Sequence, residues 1–321
     1  MHQEREPAVV VDGLRKTYGD KVAVDEISLS VHEGEIFGIL GPNGAGKSTT
    51  VESIAGLRVG DRGRIRVHGI DPWTDRAAVT EVLGVQLQEA KLQQKITVQE
   101  ALELWSAFYP DPEPWAPLAE RLGLGPHLRQ RFENLSGGQQ QRLSIALALI
   151  GRPRVVVLDE LTTGLDPRAR REVWDLVRDV RDRGVTVLLV THSMEEAQTL
   201  CDRIAIVDAG RIRALDTPAG LIDSASAATI TTFETPVAID LASLRELDGV
   251  TAARSENGTV TVEGTEGVAL AVVEVLRTQG VAPQRLRVAA GSLDAAYLDL
   301  TETDAETDAE TETDTRQEAP R

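Results

Sequence analysis

The sequence predicts an α/β fold built on a parallel sheet, followed by a smaller α+β domain and an acidic tail without structure. Three observations carry this reading. Short apolar runs with no polar alternation recur along the first two thirds of the chain, as expected of strands buried on both faces. Between them lie stretches of helical period. The length of 321 residues suggests two domains at roughly 100–200 residues each, and 41% hydrophobic content is enough to build their cores.

The apolar runs are Glu35–Leu40 (EIFGIL), Val155–Leu158 (VVVL), Val185–Val190 (VTVLLV) and Ile204–Val207 (IAIV). A helix follows Asp166-Pro167, an N-cap with proline at the first helical position. Val173, Leu176, Val177 and Val180 then recur on one face, and Gly184 ends the helix. Around Thr217–Ser224 these patterns stop. Beyond them, strands are expected near Ala228–Phe233, Thr259–Glu263 and Arg285–Val288, with a helix over Val268–Thr278. The expected division is therefore 1–222, 223–300 and 301–321. The last segment opens with TETDAETDAETETDT, holds eight acidic and two basic residues and no aromatic, and is expected to be disordered.

Composition narrows the function. The net charge is −17, six units of it in the tail and eleven in residues 1–300, which argues against binding a nucleic-acid backbone. Apolar runs such as Leu143–Ile150 fall far short of the roughly 20 residues that span a bilayer. The N-terminus MHQEREPAVV is polar and offers no secretory core, so a cytoplasmic protein is expected. A single cysteine, Cys201, excludes an intrachain disulfide framework and is expected to be a small buried apolar residue.

The strongest chemical signal is Gly41-Pro42-Asn43-Gly44-Ala45-Gly46-Lys47-Ser48, with Thr49 next. It fills every fixed position of a phosphate-binding loop and lies directly after a strand, where a helix should open. Glycines let backbone N–H groups turn inward around phosphate, and the helix N-terminus adds partial positive charge. Lys47 is expected to reach the β- and γ-phosphates with little packing role of its own, and Ser48 to ligate Mg²⁺. A second signal is the buried strand that ends in Asp159 and Glu160. Asp159 suits a Mg²⁺ shell, and Glu160 could polarise an attacking water. His192 follows a third strand in the same way. Three strand ends thus place polar groups at the carboxyl edge of the sheet, where open α/β sheets bind ligands.

A third signal is Leu135-Ser136-Gly137-Gly138-Gln139, ahead of an apolar helix. Ser136 and Gln139 have capping-box spacing, which marks an exposed helix start with free N–H groups. LSGGQ in this position resembles the ATP-binding cassette (ABC) ATPases. With that resemblance, Gln88 matches the glutamine of the Q-loop, Gly164-Leu165-Asp166 the D-loop, and His192 the switch histidine. Tyr18, 23 residues before Gly41, matches the aromatic that stacks on adenine. The resemblance covers roughly residues 8–220 and implies a nucleotide-binding domain of phosphate-loop type with a helical subdomain. It also implies ATP and Mg²⁺ as ligands and Lys47, Gln88, Glu160 and His192 as catalytic residues. ATP would contact Tyr18, the loop from Gly41 to Thr49, Ser136, Gly137, Gly138, Gln139 and Asp166; Ser48, Gln88 and Asp159 would hold the metal.

THSMEEAQTLCDRIAIVDAGRI and the late SLDAAYLDLT resemble the ATP-binding subunits of ABC-2-type exporters, especially the daunorubicin-resistance group. That implies a separate membrane permease, an ATP-dependent homodimer, and a place on the cytoplasmic face of the membrane. Two residues depart from the family pattern. Leu161 stands where proline usually follows the glutamate, and Leu87 where proline often precedes the Q-loop glutamine, so altered loop stiffness is expected. A translation factor of the superfamily would carry two cassettes. A DNA-repair ATPase would need a long insertion, whereas Ser48 and Gly137 lie only 89 positions apart.

The remaining features have plainer readings. Trp73 and Trp174 are expected to anchor packing, and Arg58, Arg62, Arg64 and Arg66 to form a solvated stretch. Thr97 and Glu100 make a second capping box. Trp105, Phe108, Tyr109 and Trp115, four of the eleven aromatics, fall within eleven residues; some must be core, and the segment reads equally as core or, by the family resemblance, as a docking surface for the membrane subunit.

Overall fold

The computed structural model describes residues 7–87, 92–224, 229–235, 239–256, 259–265, 267–289 and 293–297. The expected acidic tail and Gln88 lie outside the described residues. The chain divides into two compact units, Met1–Pro218 and Ala219–Arg321. A helix, Pro218–Ser224, runs across both this division and the boundary expected at 222/223.

The first unit opens with a hairpin that the apolar-run pattern does not reveal. Strands β1 (Pro7–Tyr18) and β2 (Lys21–His32) pair antiparallel around Gly19-Asp20, with Tyr18 opposite Lys21 and Gly19 at φ 56°. A two-residue loop beginning with glycine is a short-range hairpin signal, and both strands bury only one face. Strand β3 (Ile36–Leu40) follows and is buried throughout, then helix α1 (Lys47–Ile54). Strand β4 (Arg62–Val67) completes a three-stranded antiparallel sheet of order β2-β1-β4. Arg62, Arg64 and Arg66 alternate along its exposed side, as expected of a solvated stretch.

Helix α2 (Arg76–Val82) leads into β5 (Leu83–Gln86), and three helices follow: α3 (Val98–Ser106), α4 (Trp115–Arg121) and α5 (Gly137–Leu149). The unit continues with β6 (Val155–Asp159), α6 (Pro167–Asp182), β7 (Thr186–Thr191), α7 (Met194–Leu200), β8 (Arg203–Asp208) and β9 (Arg211–Asp216). These strands form a six-stranded sheet of order β5-β6-β7-β3-β8-β9. It is parallel except for β9, which lies antiparallel at the edge beside β8. The four apolar runs are its central strands, each within a residue or two of its expected limits.

Burial on both faces of the sheet explains why those runs show no polar alternation. Phe37, Ile39, Val155, Val157, Leu188, Val190, Ala205 and Val207 bury one face in a core shared with Val9, Val11, Ile27, Leu29 and Val31 of the antiparallel sheet. Helix α1 contributes Val51 and Ile54 to the same core, so the loop before it is clamped at its base. The opposite face of the parallel sheet packs against helices, α6 and α7 among them. Local caps fix the helix starts. Asp166 accepts from the N–H groups of Arg168 (2.9 Å) and Ala169 (3.0 Å), and both expected capping boxes are formed, Thr97 with Glu100 and Ser136 with Gln139.

The second unit holds a four-stranded antiparallel sheet. In chain order its elements are β10 (Thr229–Glu234), a short helix Leu241–Arg245, β11 (Val250–Glu256), β12 (Thr259–Gly264), a helix Val268–Thr278 and β13 (Gln284–Ala289). The sheet order is β11-β12-β10-β13. Phe233, Val260, Val262, Val268, Val272 and Leu276 form its core.

Candidate active site

The site is built where three neighbouring strands of the parallel sheet, β6, β7 and β3, end at one edge. The loop 41–48 leaves β3 under two backbone constraints. A Cβ on Gly41 would lie 2.1 Å from the carbonyl oxygen of Val207, and one on Gly46 would lie 2.4 Å from that of Ala23. Gly46 also takes φ 104°, a left-handed conformation that other residues rarely adopt, immediately before α1. No side chain caps α1, which leaves its first N–H groups open to an anion at this end of the helix.

Lys47 departs from the expectation that it has little packing role. It is only 5% exposed, and its ammonium donates to the carbonyls of Gly41 (2.8 Å) and Pro42 (2.9 Å). The lysine therefore closes its own loop, because a buried ammonium must find acceptors within reach. Burial lowers its pKa from the ordinary lysine value, while the negative charges of Glu160 and Asp159 act in the opposite direction. Asn43, Gly44 and Ser48 stay exposed. A cleft of about 390 Å³ lies over the loop, lined among others by Tyr18, Lys21, Asn43, Ser48, Thr49 and Glu160. At its rim the Tyr18 ring, 40% exposed, has the Arg58 guanidinium 5.5 Å and the Lys16 ammonium 5.7 Å from its centroid. Arg58 also pairs with Glu52. The Lys16 contact is local, since the two residues lie two apart on one face of β1; the Arg58 contact was not legible in the sequence, because Tyr18 and Arg58 meet only through tertiary folding.

Asp159 ends β6 and is buried; its N–H donates to Gln86 Oε1 at 3.0 Å. Gln86 is a further site residue that sequence reasoning missed, two positions before Gln88. Glu160 takes φ 50°, uncommon outside glycine, and donates its N–H to Val190 O at 2.9 Å. Its carboxylate reaches the Nδ1 of His192 at 3.2 Å, so the ends of β6 and β7 converge as expected. The His192 side chain is 47% exposed.

The Ser136–Gln139 turn lies apart from that cleft. Ser136 Oγ accepts from Gln139 N–H at 3.4 Å, Gln139 Oε1 accepts from Ser136 N–H at 2.9 Å, and the Gln139 amide nitrogen lies 3.0 Å from His127 Nε2. Gly137 and Gly138 pack on the start of α6. Added Cβ atoms there would meet Leu165 at 3.1 Å and Ala169 at 3.3 Å. Gly137 lines a second cleft with Asp159, Glu160, Gly164 and Leu165, but Ser136, Gly137, Gly138 and Gln139 do not line the first. Asp166 sits at the exposed N-cap of α6, where hydrogen bonds from backbone N–H groups, that of Ala169 foremost, lower its pKa.

The aromatic cluster divides. Phe108 is 68% exposed and meets half-buried Trp105 edge-to-face at 6.0 Å, whereas the Tyr109 ring packs against Gly151 and burial raises its pKa. Trp174 is buried as expected, but its indole N–H also donates to Glu196 at 3.0 Å. Cys201 is buried.

Among the described residues, no helix is long and apolar enough to cross a membrane, and no group of three or more His, Cys, Asp or Glu is placed to hold a metal.

Residues 24–163 match the ABC transporter family model. The chain is 38% identical over 313 residues to the daunorubicin resistance ATP-binding protein DrrA3 of Streptomyces coeruleorubidus, covering 92% of this chain and 96% of that one. It is 40% identical over 221 residues to the Nod factor export ATP-binding protein I of Rhizobium etli, 67% of this chain and 70% of the relative. Among solved structures, it resembles a dimeric post-hydrolysis state of the ATP-binding cassette MJ0796 bound to ADP and Pi. The TM-score is 0.60 at 27% identity, over 65% of this chain and 98% of that chain. With a nearly full-length relative at that identity and a phosphate loop, acidic strand end and histidine at one sheet edge, the chain belongs to the ABC transporter family, among its ATP-hydrolysing subunits.

Proposed function

We propose that this chain hydrolyses ATP at the edge formed by β6, β7 and β3 to power export through a separate permease of ABC-2 type. The observation that carries this reading is the convergence of Lys47, Glu160 and His192 from three adjacent strands. Glu160 polarises a water for attack on the γ-phosphorus, and the bond from phosphorus to the β–γ bridging oxygen breaks in line. His192 holds the Glu160 carboxylate through Nδ1 and offers its other ring nitrogen to the terminal phosphate. Lys47 moves from the Gly41 and Pro42 carbonyls toward the phosphates. Tyr18 offers its ring to the base.

The donor set fits Mg²⁺. Ser48, exposed at the start of α1, and Asp159, at the end of β6, offer hard oxygens suited to an ion that keeps waters and substrate phosphates in its shell. Bound there, the ion would neutralise charge on the phosphates; Gln88 is the third proposed ligand. Ser136, Gly137, Gly138, Gln139 and Asp166 complete the site of a second copy, so two ATP molecules lie between two chains. That Ser136, Gly137, Gly138 and Gln139 do not line the cleft over loop 41–48 supports this. The relatives' names, daunorubicin resistance and Nod factor export, support export, and the proposed cargo is a drug, an antibiotic or a lipid-like molecule. The subunit would work on the cytoplasmic face of the membrane, without nucleic acid.

Glu160→Gln tests the reading. Removing the carboxylate while keeping its size should cut hydrolysis roughly 10²–10⁴-fold. ATP binding should persist, and size-exclusion chromatography should show a dimer with ATP and a monomer with ADP. Full turnover by the variant would refute Glu160 as the base, and a monomer in ATP would refute the homodimer.

A further inference from the structure

A buried acid behind the reacting edge links the two residues that meet there. Glu196, in the first turn of α7, is 1% exposed. Its Oε1 accepts from the Thr162 hydroxyl at 2.9 Å and from the Trp174 indole N–H at 3.0 Å. Its own N–H donates to Ser193 Oγ at 3.3 Å. These partners belong to three different pieces of the site. Thr162 lies two residues after Glu160. Ser193 directly follows His192, and Ser193 N–H donates to Thr191 Oγ1 at 3.0 Å, so the histidine sits within a turn fixed on both sides. Trp174 lies on α6, the helix that Asp166 caps.

We infer that Glu196 is a positioning residue that sets the register between Glu160 and His192. The inference rests on the proposed roles of those two residues. The segment 160–165 needs such an anchor. Glu160 holds a left-handed backbone conformation, which persists only where the surroundings over-determine it. The next residue, Leu161, has no ring to fix its φ as proline would. Thr162 accepts the Leu165 N–H at its carbonyl (3.2 Å) and delivers its hydroxyl to Glu196, so the segment is pinned from behind at its centre. An unpaired buried carboxylate is costly, and one that accepts from two elements at once holds both in a single geometry. The 3.2 Å contact between Glu160 and His192 is then a consequence of the node beneath it.

The test is steady-state hydrolysis by the full chain well below each variant's Tm, with turnover normalised to sites that bind a fluorescent ATP analogue. Glu196→Ala should lower kcat at least tenfold and leave KM for ATP within twofold, because loop 41–48 keeps its own contacts. Glu196→Gln keeps an oxygen acceptor of the same size and should recover to within about threefold of the parent. Thr162→Val, isosteric and free of any new cavity, should lower kcat in the same selective way and decides the matter if Glu196→Ala does not fold. A merely structural role would lower Tm and the fraction of binding-competent protein without changing turnover per occupied site. Unchanged normalised kcat in Thr162→Val, or a loss of ATP affinity as large as the loss of kcat, would overturn the inference. Glu160→Gln is measured alongside. If it hydrolyses normally, the catalytic reading itself fails; if it is inactive while Glu196→Ala and Thr162→Val are fully active, only the positioning role does.

Discussion

Lys47→Met separates what the lysine does for the loop from what it does for the nucleotide. In the fold its ammonium donates to two carbonyls, at 2.8 and 2.9 Å. Hydrogen bonds from a charged donor stabilise by ~1.5–3 kcal/mol each. Against them stands the cost of holding an ammonium at 5% exposure, several kcal/mol for a buried ion. Methionine keeps most of the stem and removes the charge, so the two contributions largely cancel. The expected change in stability without nucleotide is within about 2 kcal/mol, or roughly 4–8 °C in Tm for a unit of this size. Nucleotide binding should respond differently. At a concentration one hundred times Kd, a non-hydrolysable ATP analogue with Mg²⁺ stabilises by ~2.7 kcal/mol, a Tm rise of roughly 5–10 °C. If losing the charge on the phosphates weakens binding one hundredfold, only about 0.4 kcal/mol remains, a rise of roughly 1 °C. Turnover should fall by about 10²–10³, the usual effect of removing one preorganised donor to developing charge. Differential scanning fluorimetry with and without the analogue, combined with phosphate release, measures all three. An undiminished analogue-induced rise with unchanged turnover would refute the assignment of Lys47 to the phosphates.

Two further perturbations probe the loop and the surface. Gly46→Ala should lower stability by ~1–3 kcal/mol and abolish nucleotide binding, since the new Cβ meets the Ala23 carbonyl at 2.4 Å and alanine resists φ 104°; thermal melts and analogue binding check it, and wild-type binding would refute the geometry. Trp105→Ala with Phe108→Ala should weaken association with a co-expressed permease by ~2 kcal/mol or more while basal hydrolysis holds within about twofold, because Phe108 is 68% exposed and touches little core; co-purification from membranes tests this, and a misfolded double variant would instead make the pair structural.

Local pattern and tertiary structure divide the explanation of this protein along a physical line. The phosphate loop, the acidic end of β6, the caps at Thr97, Ser136 and Asp166, and the helix Val268–Thr278 were all legible in the sequence. Each depends on interactions within a few residues: a glycine's freedom, a side chain reaching its own helix start, or a 3.6-residue period. The apolar runs likewise marked the central strands, because burial on both faces leaves no room for polar alternation. Strands β1, β2 and β4 escaped that reading because their sheet buries one face only. Strand order was not legible either, since pairing joins residues far apart in the chain, and it is this order that places β7 between β6 and β3. The same holds for single side chains. Lys47 turned out to brace its own loop, Gln86 to hold the Asp159 backbone, and Glu196 to gather Thr162 and Trp174 from two other elements. A charged or polar group committed to burial must find partners wherever the chain brings them, and only the tertiary structure decides which ones arrive.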